Sequence, residues 1–192
     1  MKYAGTVLGL MFALTALGQG KDTLFLSQPI PDSELCHLSL SYCDKDGKTQ
    51  QGEMVCNHTI ATDLIDIFRQ LWKAGYRIER MELVDKYDGD DERSMSANNT
   101  SCYNNRTIAG TNTLSKHARG LAIDVNPLYN PYVKNGNVSP KGGKKWAFNR
   151  SKRRDIPFKI DHNDLCYRLF HEHGFRWGGD WKSCKDYQHF EK

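Results

Sequence analysis

The sequence predicts a single α+β domain in which helices flank a small, mainly antiparallel sheet. Several short segments alternate apolar and polar residues, which is typical of half-buried strands. Two longer segments carry apolar residues at helical spacing. Their order along the chain is hairpin, helix, strand, long loop, strand, helix and strand, which suits this fold class. The 192 residues are enough for one domain with its own core.

The hairpin and the first helix are the clearest elements. Residues 35–57 form two apolar-rich stretches around the turn Lys45–Lys48, a pattern that predicts a hairpin. Residues 59–76 predict a helix that Thr59 caps and Gly75 ends. Its apolar stripe consists of Ile60, Leu64, Ile67, Phe68, Leu71 and Trp72. The alternating residues 77–85 predict the next strand.

The second half of the chain alternates between polar stretches and short ordered segments. Residues 86–113 are polar and irregular, and so long a loop in a compact domain is usually functional or disordered. A strand is predicted at 121–126, and a second polar region follows it. The next helix is expected to begin near Asp161 and to stop at Gly174, before a strand-like segment at the C-terminus.

The N-terminus has the layout of a secretory signal peptide. An early lysine precedes an apolar run from Val7 to Leu17, which small residues close and which is too short for a comfortable membrane span. A buried N-terminal helix is the alternative. On the signal-peptide interpretation, we divide the chain into a signal peptide (1–20), a linker (21–35) and a folded domain (36–192). We expect export to the periplasm or the extracellular space, with no integral membrane segment after cleavage.

Six cysteines lie in the predicted mature part. An even number of cysteines in an exported chain predicts disulfides, and free buried thiols are the alternative. No two of these cysteines have the short spacing that is typical of a structural zinc site. The sequence alone does not decide which cysteines would form disulfides with each other. They are Cys36, Cys43, Cys56, Cys102, Cys166 and Cys184.

The formal charge of +4 is too small to indicate a nucleic-acid-binding protein. A cluster of basic residues in the second polar region is interpreted as a solvated loop, with contact to an anionic polymer as the alternative. It comprises Lys141, Lys144, Lys145, Arg150, Lys152, Arg153 and Arg154. No heptad pattern or long exposed apolar helix is present, so we expect a monomer.

The stretch "SKHARGLAID" places an acid on a strand that otherwise reads as buried. His117 precedes this strand and Asp124 lies on its polar face, so both are candidate metal ligands. His189, in "DYQHFE", is the candidate for a third ligand. Asp186 is placed to take a proton from a metal-bound water, and we expect it in the turn before the strand that carries His189. A carboxylate bound to a dication would no longer be an unpaired buried charge.

These residues resemble a family. "SKHARGLAID" matches the Ser-x-His-x-x-Gly-x-Ala-x-Asp motif of the zinc D-alanyl-D-alanine carboxypeptidases and L-alanyl-D-glutamate endopeptidases. "GGDWKSCKDYQHFE" is similar to the C-terminal segment of that family. The stretch "LVDKYDGDDERSMSANNTSCYNNR" looks like the region before the motif in its VanY-like branch. The resemblance spans roughly residues 50–191, in three blocks that keep their order.

The resemblance implies a hedgehog/D,D-peptidase-like fold and one bound Zn²⁺. It implies that His117, Asp124 and His189 bind the zinc, that Asp186 is the base, and that Arg106 steadies the substrate carbonyl or oxyanion. Ser115 matches the motif serine, in a supporting role. Many relatives carry a glutamate in place of Asp186, whereas the endopeptidase-like branch carries aspartate.

The function predicted on this basis is an exported zinc metallopeptidase that acts on peptidoglycan stem peptides, with D-Ala-D-Ala carboxypeptidase activity slightly favoured. The alternatives are an L-Ala-D-Glu endopeptidase and a non-catalytic metal-containing cell-wall binding module. A third alternative is a structural site with four ligands, which Cys184 could close. The acids Asp88, Asp90 and Asp91 are interpreted as loop-ordering or substrate-facing, since the glutamate that ends a calcium-binding EF-hand loop is missing.

Overall fold

The structure, a computed structural model, describes residues 15–16, 30–108 and 111–192. Except for residues 15–16, the predicted signal peptide lies outside the described residues, as does most of the linker, and both assignments stay predictions. The described part is an α+β fold with three small antiparallel sheets, which confirms the predicted class. No helix within these ranges is long and apolar enough to span a membrane.

The first sheet contains the predicted hairpin. Strands β2 (Leu35–Cys43) and β3 (Thr49–Asn57) pair along their full length, and β1 (Thr15–Ala16) pairs with the start of β2. Helix α1 (His58–Lys73) follows β3 directly and buries its apolar face against β2 and β3. The helix begins one residue before Thr59, because the side chain of Asn57 accepts the Thr59 amide and acts as the cap. The prediction of Thr59 as the cap is therefore wrong.

The predicted strand at residues 77–85 does not form. Only single bridges join Arg77 to Cys43 and Arg80 to Asn99, and a 3₁₀ helix begins at Val84. The buried apolar residues are Ile78, Met81 and Val84, which recur every three residues rather than every two. An irregular extended chain can bury such a pattern, whereas a two-sided strand would expose part of it.

The remaining elements form two short sheets and two helices. One sheet has the order β4 (Ala122–Asp124), β9 (His189–Glu191), β7 (Arg176–Trp177), and the other has β6 (Asn137–Ser139), β5 (Tyr132–Lys134), β8 (Lys185–Asp186). Helix α2 (Asp91–Ser96) lies within the predicted polar loop, and α3 (Leu165–Glu172) is the predicted second helix. Asp164, not Asp161, caps α3 by accepting the Cys166 amide.

Aromatic packing ties the strand that carries His189 to both long helices. The ring of Phe170 on α3 meets Phe68 of α1 edge to face at 6.1 Å and stacks on Phe190 at 4.3 Å. All three side chains are fully buried. Because alternate residues of a strand face opposite sides, burying Phe190 in the core turns His189 and Glu191 to the other face of β9.

The prediction of disulfides is wrong for this structure. All six cysteines are free thiols, and all but Cys184 are buried. Burial raises the pKa of Cys56 to about 12, so this thiol stays protonated and unreactive. An even cysteine count is weak support for disulfides because it holds no information about which thiols the fold brings together.

Candidate metal centre and active site

His117 is held by the local structure of its own motif. It begins a 3₁₀ turn that leads into β4, and its amide donates to Ser115 Oγ at 3.1 Å. Gly120 ends the turn with a φ of 63°, where a Cβ atom would lie 2.5 Å from the backbone nitrogen of Asn57. The motif glycine is therefore required both by its left-handed backbone and by its close approach to β3.

Asp124 and His189 meet across neighbouring strands. They are directly paired residues in the antiparallel register of β4 and β9, which places their side chains on the same face. The sequence separates them by 65 positions, so only the sheet register brings them together. This register explains why the polar face of the predicted strand, which carries Asp124, is buried rather than exposed to solvent.

The three predicted ligands converge. His117 Nε2 lies 3.2 Å from His189 Nδ1 and 3.3 Å from Asp124 Oδ2, and His189 Nδ1 lies 3.1 Å from Asp124 Oδ1. One donor atom from each residue falls within 4.8 Å of the others, and all three residues are buried. Two imidazoles and one carboxylate form the type of ligand set that leaves a fourth position open in catalytic zinc sites.

The outer hydrogen bonds of the two histidines show which nitrogens are free. His117 Nδ1 lies 2.7 Å from the carbonyl oxygen of Cys102, and His189 Nε2 lies 3.4 Å from Glu191 Oε2. Both partners accept hydrogen bonds, so each of these nitrogens carries a proton. In the neutral rings, the lone pairs of His117 Nε2 and His189 Nδ1 then face each other and Asp124. That arrangement is unfavourable without a cation between them, and therefore these residues fit a bound metal ion.

The electrostatics of the centre favour positive charge. Burial alone would raise the pKa of Asp124, but the charge of His117 and the hydrogen bonds of both histidines outweigh it and hold this pKa well below its usual range. Burial would lower the pKa of His189, yet hydrogen bonds to Asp124 and Glu191 raise it to about 10. In the metal-free protein a proton on His189 thus supplies the charge that a metal ion would otherwise supply.

Asp186 lies on its own short strand beside this cluster. On β8 it pairs with Tyr132 of β5, and a bend at residues 187–188 separates it from β9. The prediction that it would occupy a turn is therefore wrong, although its separation from the strand of His189 was expected. Gly178 permits this placement, because a Cβ there would lie 2.7 Å from Asp186 Cβ and 3.3 Å from His189 Cβ.

The carboxyl group of Asp186 has the environment of a general base. Its Oδ1 is buried and has no hydrogen-bond partner among the described residues. Burial raises its pKa to about 7, with the positive charge of His189 opposing the shift and the negative charge of Asp124 adding to it. A carboxyl group with a pKa near the working pH can both accept and return a proton.

Arg106 is placed beside the motif through the backbone and through an acid of the preceding loop. Its carbonyl oxygen accepts the Ser115 amide at 3.1 Å. Its Nε lies 3.0 Å from Asp91 Oδ2, and Asn104 Nδ2 donates to the other oxygen of Asp91 at 3.1 Å. Asp91 therefore holds the predicted oxyanion-binding side chain, whereas the interpretation of this acid from the sequence is loop-ordering or substrate-facing.

The other acids of this loop also have structural roles. Asp90 caps α2 by accepting the Arg93 amide, and Asp88 forms an ion pair with Arg93. Among the described residues, the only group of three or more possible ligand side chains that converges is His117, Asp124 and His189. The acidic cluster is thus not a calcium site in this structure, and Cys184 does not join the metal centre as a fourth ligand.

The basic cluster of residues 141–154 is only partly a solvated loop. Arg150 is buried and donates to the carbonyl oxygens of Tyr129 and Trp146 and to Asn130 Oδ1, all within 3.0 Å. Its guanidinium also lies 4.3 Å from the ring of Tyr187. Arg150 therefore organises the second polar region from within, and the interpretation as a solvated residue is wrong for it.

Comparison with known proteins supports the resemblance. A family model described as D-alanyl-D-alanine carboxypeptidase matches residues 109–192. The match supports this peptidase family. It contains the whole metal cluster and Asp186, whereas Arg106 and Asp91 precede it. Searches of curated proteins and of solved structures gave no match.

Sequence reasoning missed three residues that shape the centre. The Cys102 carbonyl, Glu191 and Gly178 contact the candidate ligands or Asp186, but none belongs to a ligand pattern. Glu191 left a signal, since it lies two residues after His189 and therefore on the same face of a strand, and Gly178 belongs to the segment "GGDWKSCKDYQHFE".

Proposed function

We propose that the chain is an exported zinc metallopeptidase that hydrolyses bonds next to D-amino acids in peptidoglycan stem peptides, and that its main reaction is removal of a terminal D-alanine. The observation that carries the proposal is the buried cluster of two histidines and one carboxylate whose donor atoms lie within 4.8 Å of one another. Beside it is the buried carboxyl group of Asp186, whose Oδ1 has no hydrogen-bond partner among the described residues. His117, Asp124 and His189 would hold the zinc.

The residues of the chain supply the proton transfer and the charge stabilisation. Zinc, when bound, would supply Lewis acidity and a water of lowered pKa. Asp186 accepts the proton of the attacking water and returns it to the leaving amine, as its raised pKa permits. Arg106 donates to the oxygen on which negative charge develops, and Asp91 keeps its guanidinium in place.

The buried carboxyl of Asp186 favours catalysis over a binding role. Burying a carboxyl oxygen without a hydrogen-bond partner lowers the stability of the fold. A cell-wall binding module would gain nothing in return from a carboxyl group whose pKa burial raises to about 7. Groups with such perturbed pKa values are concentrated at catalytic sites. The VanY-like branch, the export and the monomeric state remain part of the proposal and rest on the sequence.

The experiment is a substrate panel with the zinc-loaded mature protein. One peptide ends in D-Ala-D-Ala, a second contains an L-Ala-D-Glu bond, and a third is an all-L control. We expect free D-alanine from the first peptide, loss of this release with a chelator, and its return when zinc is added. Cleavage of the second peptide alone would instead assign the endopeptidase reaction. Zinc binding without cleavage of either peptide would leave the binding module as the better account.

A further inference from the structure

The face of β9 that carries His189 also carries Glu191, and each is flanked by a partner on a neighbouring strand. His189 is paired with Asp124 on β4, whereas Glu191 is paired with Arg176 on β7. The side chains form a continuous row across the sheet, in which Arg176 Nη2 lies 2.7 Å from Glu191 Oε1 and the other Glu191 oxygen faces His189 Nε2.

The two oxygens of Glu191 therefore have different partners. One is occupied by the guanidinium of Arg176, so the carboxylate cannot rotate away without losing that ion pair. The second is left to accept the Nε2 proton of His189. The side chain of Glu191 is only 14% exposed, whereas that of Arg176 is 73% exposed, so the acid is shielded and its partner reaches in from solvent.

We propose that Glu191, held by Arg176, is the positioning residue that keeps the His189 ring in the tautomer and orientation whose Nδ1 faces Asp124 and His117. A histidine ring with no partner on Nε2 could turn over or present either nitrogen to the metal. The ring of Trp181, 5.2 Å from that of His189, limits the space on one side but offers no acceptor. Among the described residues, the acceptor at His189 Nε2 is the carboxylate of Glu191, which thereby selects Nδ1 as the nitrogen left for the metal.

His117 needs no such side chain. Its Nδ1–H donates a hydrogen bond to the carbonyl oxygen of Cys102, which belongs to the backbone and cannot be removed by substitution. The ring of His117 is thus oriented by a backbone acceptor and the ring of His189 by a side-chain acceptor. Mutation can therefore test the orientation of His189.

The test compares Glu191→Ala, Glu191→Gln and Arg176→Ala in the full chain, with Arg69→Ala as the matched control. Arg69 is also an exposed arginine in an ion pair with an acid, Asp66, but it lies on α1 away from this sheet. Zinc affinity is measured by competition with a chromophoric chelator. The ring nitrogens of His189 in the zinc-loaded protein are followed by long-range ¹H–¹⁵N NMR.

We expect Glu191→Ala to weaken zinc binding by about 10-fold to 100-fold, the usual effect of removing such an outer partner. Glu191→Gln should restore only part of this loss, because its single amide oxygen can accept a hydrogen bond from His189 Nε2 or from Arg176, but its NH₂ group cannot accept the other. Arg176→Ala should weaken binding by about twofold to fivefold, as expected for a partly exposed ion pair. The protected Nε2 proton of His189 should be seen in the wild-type chain and lost in Glu191→Ala.

The inference is overturned if Glu191→Ala binds zinc as tightly as the wild-type chain and keeps a protected Nε2 proton. If Glu191→Ala fails to fold, Arg176→Ala still decides, since an affinity equal to that of Arg69→Ala would overturn the role of the ion pair. The inference rests on the metal site of the proposed function. A wild-type chain that binds no zinc would overturn both, whereas zinc-bound protein without hydrolysis but with the expected differences would overturn the function alone.

Discussion

His189 and Asp124 lie opposite each other on strands β9 and β4, with Nδ1 of the histidine 3.1 Å from Oδ1 of the acid. This cross-strand pair joins the C-terminal strand to the motif that precedes it by 65 residues. It also explains the high pKa of the histidine, because a buried imidazolium beside a carboxylate is stabilised strongly. Any metal ion must replace that proton.

The replacement makes zinc affinity depend on pH. The pKa of His189 in the metal-free protein is about 10, so below this pH a proton competes with zinc. Raising the pH removes the competitor, and the apparent affinity should rise by about tenfold per pH unit between about pH 6 and 9. Chelator competition measures the slope, and calorimetry in buffers of different ionisation enthalpy counts the proton released. The exposed His171 provides a control, since His171→Gln should not change the slope. An affinity independent of pH would contradict the coupling.

Asp91 offers a test of the place of Arg106. Removing the acid in Asp91→Ala frees the guanidinium of Arg106 from its 3.0 Å contact. We expect kcat/KM to fall by about 10-fold to 100-fold, because small displacements of a positioning cation are costly, while zinc affinity stays unchanged. The matched control is Asp88→Ala, which removes an ion pair with Arg93 in the same loop. Equal kinetics for the two variants would show that Arg106 needs no support from Asp91.

Gly178 tests the packing that places the base. In Gly178→Ala the new methyl group would lie 2.7 Å from both the Cβ and the carbonyl oxygen of Asp186, and one of these must move. We expect the free energy of unfolding to fall by about 1–3 kcal/mol and the rate of hydrolysis to fall more than zinc affinity. Denaturant titration and steady-state kinetics measure the two effects. Gly142→Ala is the control, since its Cβ would meet only a side-chain atom, of Leu128, at 3.3 Å. Full activity in Gly178→Ala would show that the position of Asp186 tolerates this shift.

The sequence alone could predict the three candidate ligands, because they lie in short segments that resemble the motifs of a known family. His117 and Asp124 belong to one short segment and His189 to another, and the two segments follow each other in the same order as in the family they resemble. The roles of Glu191 and Asp91 could not be predicted, because they depend on the register between β7 and β9 and on the approach of two loops.

The wrong predictions for residues 77–85 and for Arg150 also arise because burial depends on tertiary packing. Residues 77–85 looked like an alternating strand, but the packing of neighbouring segments decides which of their apolar side chains are buried, and these are Ile78, Met81 and Val84. Arg150 looked like one member of a solvated basic cluster, yet three surrounding oxygens replace water around its guanidinium. The residue type indicates that an arginine can be exposed, but only the fold shows whether the protein interior offers hydrogen-bond acceptors for its guanidinium.

The central claim is that Asp186 is the proton acceptor of a zinc-bound hydrolase. The measurement is the rate of D-alanine release from a D-Ala-D-Ala-terminated peptide by zinc-loaded Asp186→Asn, with Asp180→Asn, an exposed acid of the same segment, as control. The account predicts a rate about 10²-fold to 10⁴-fold below that of the wild-type chain, with zinc still bound, and an unchanged rate for the control. Release by Asp186→Asn at the wild-type rate would contradict the claim.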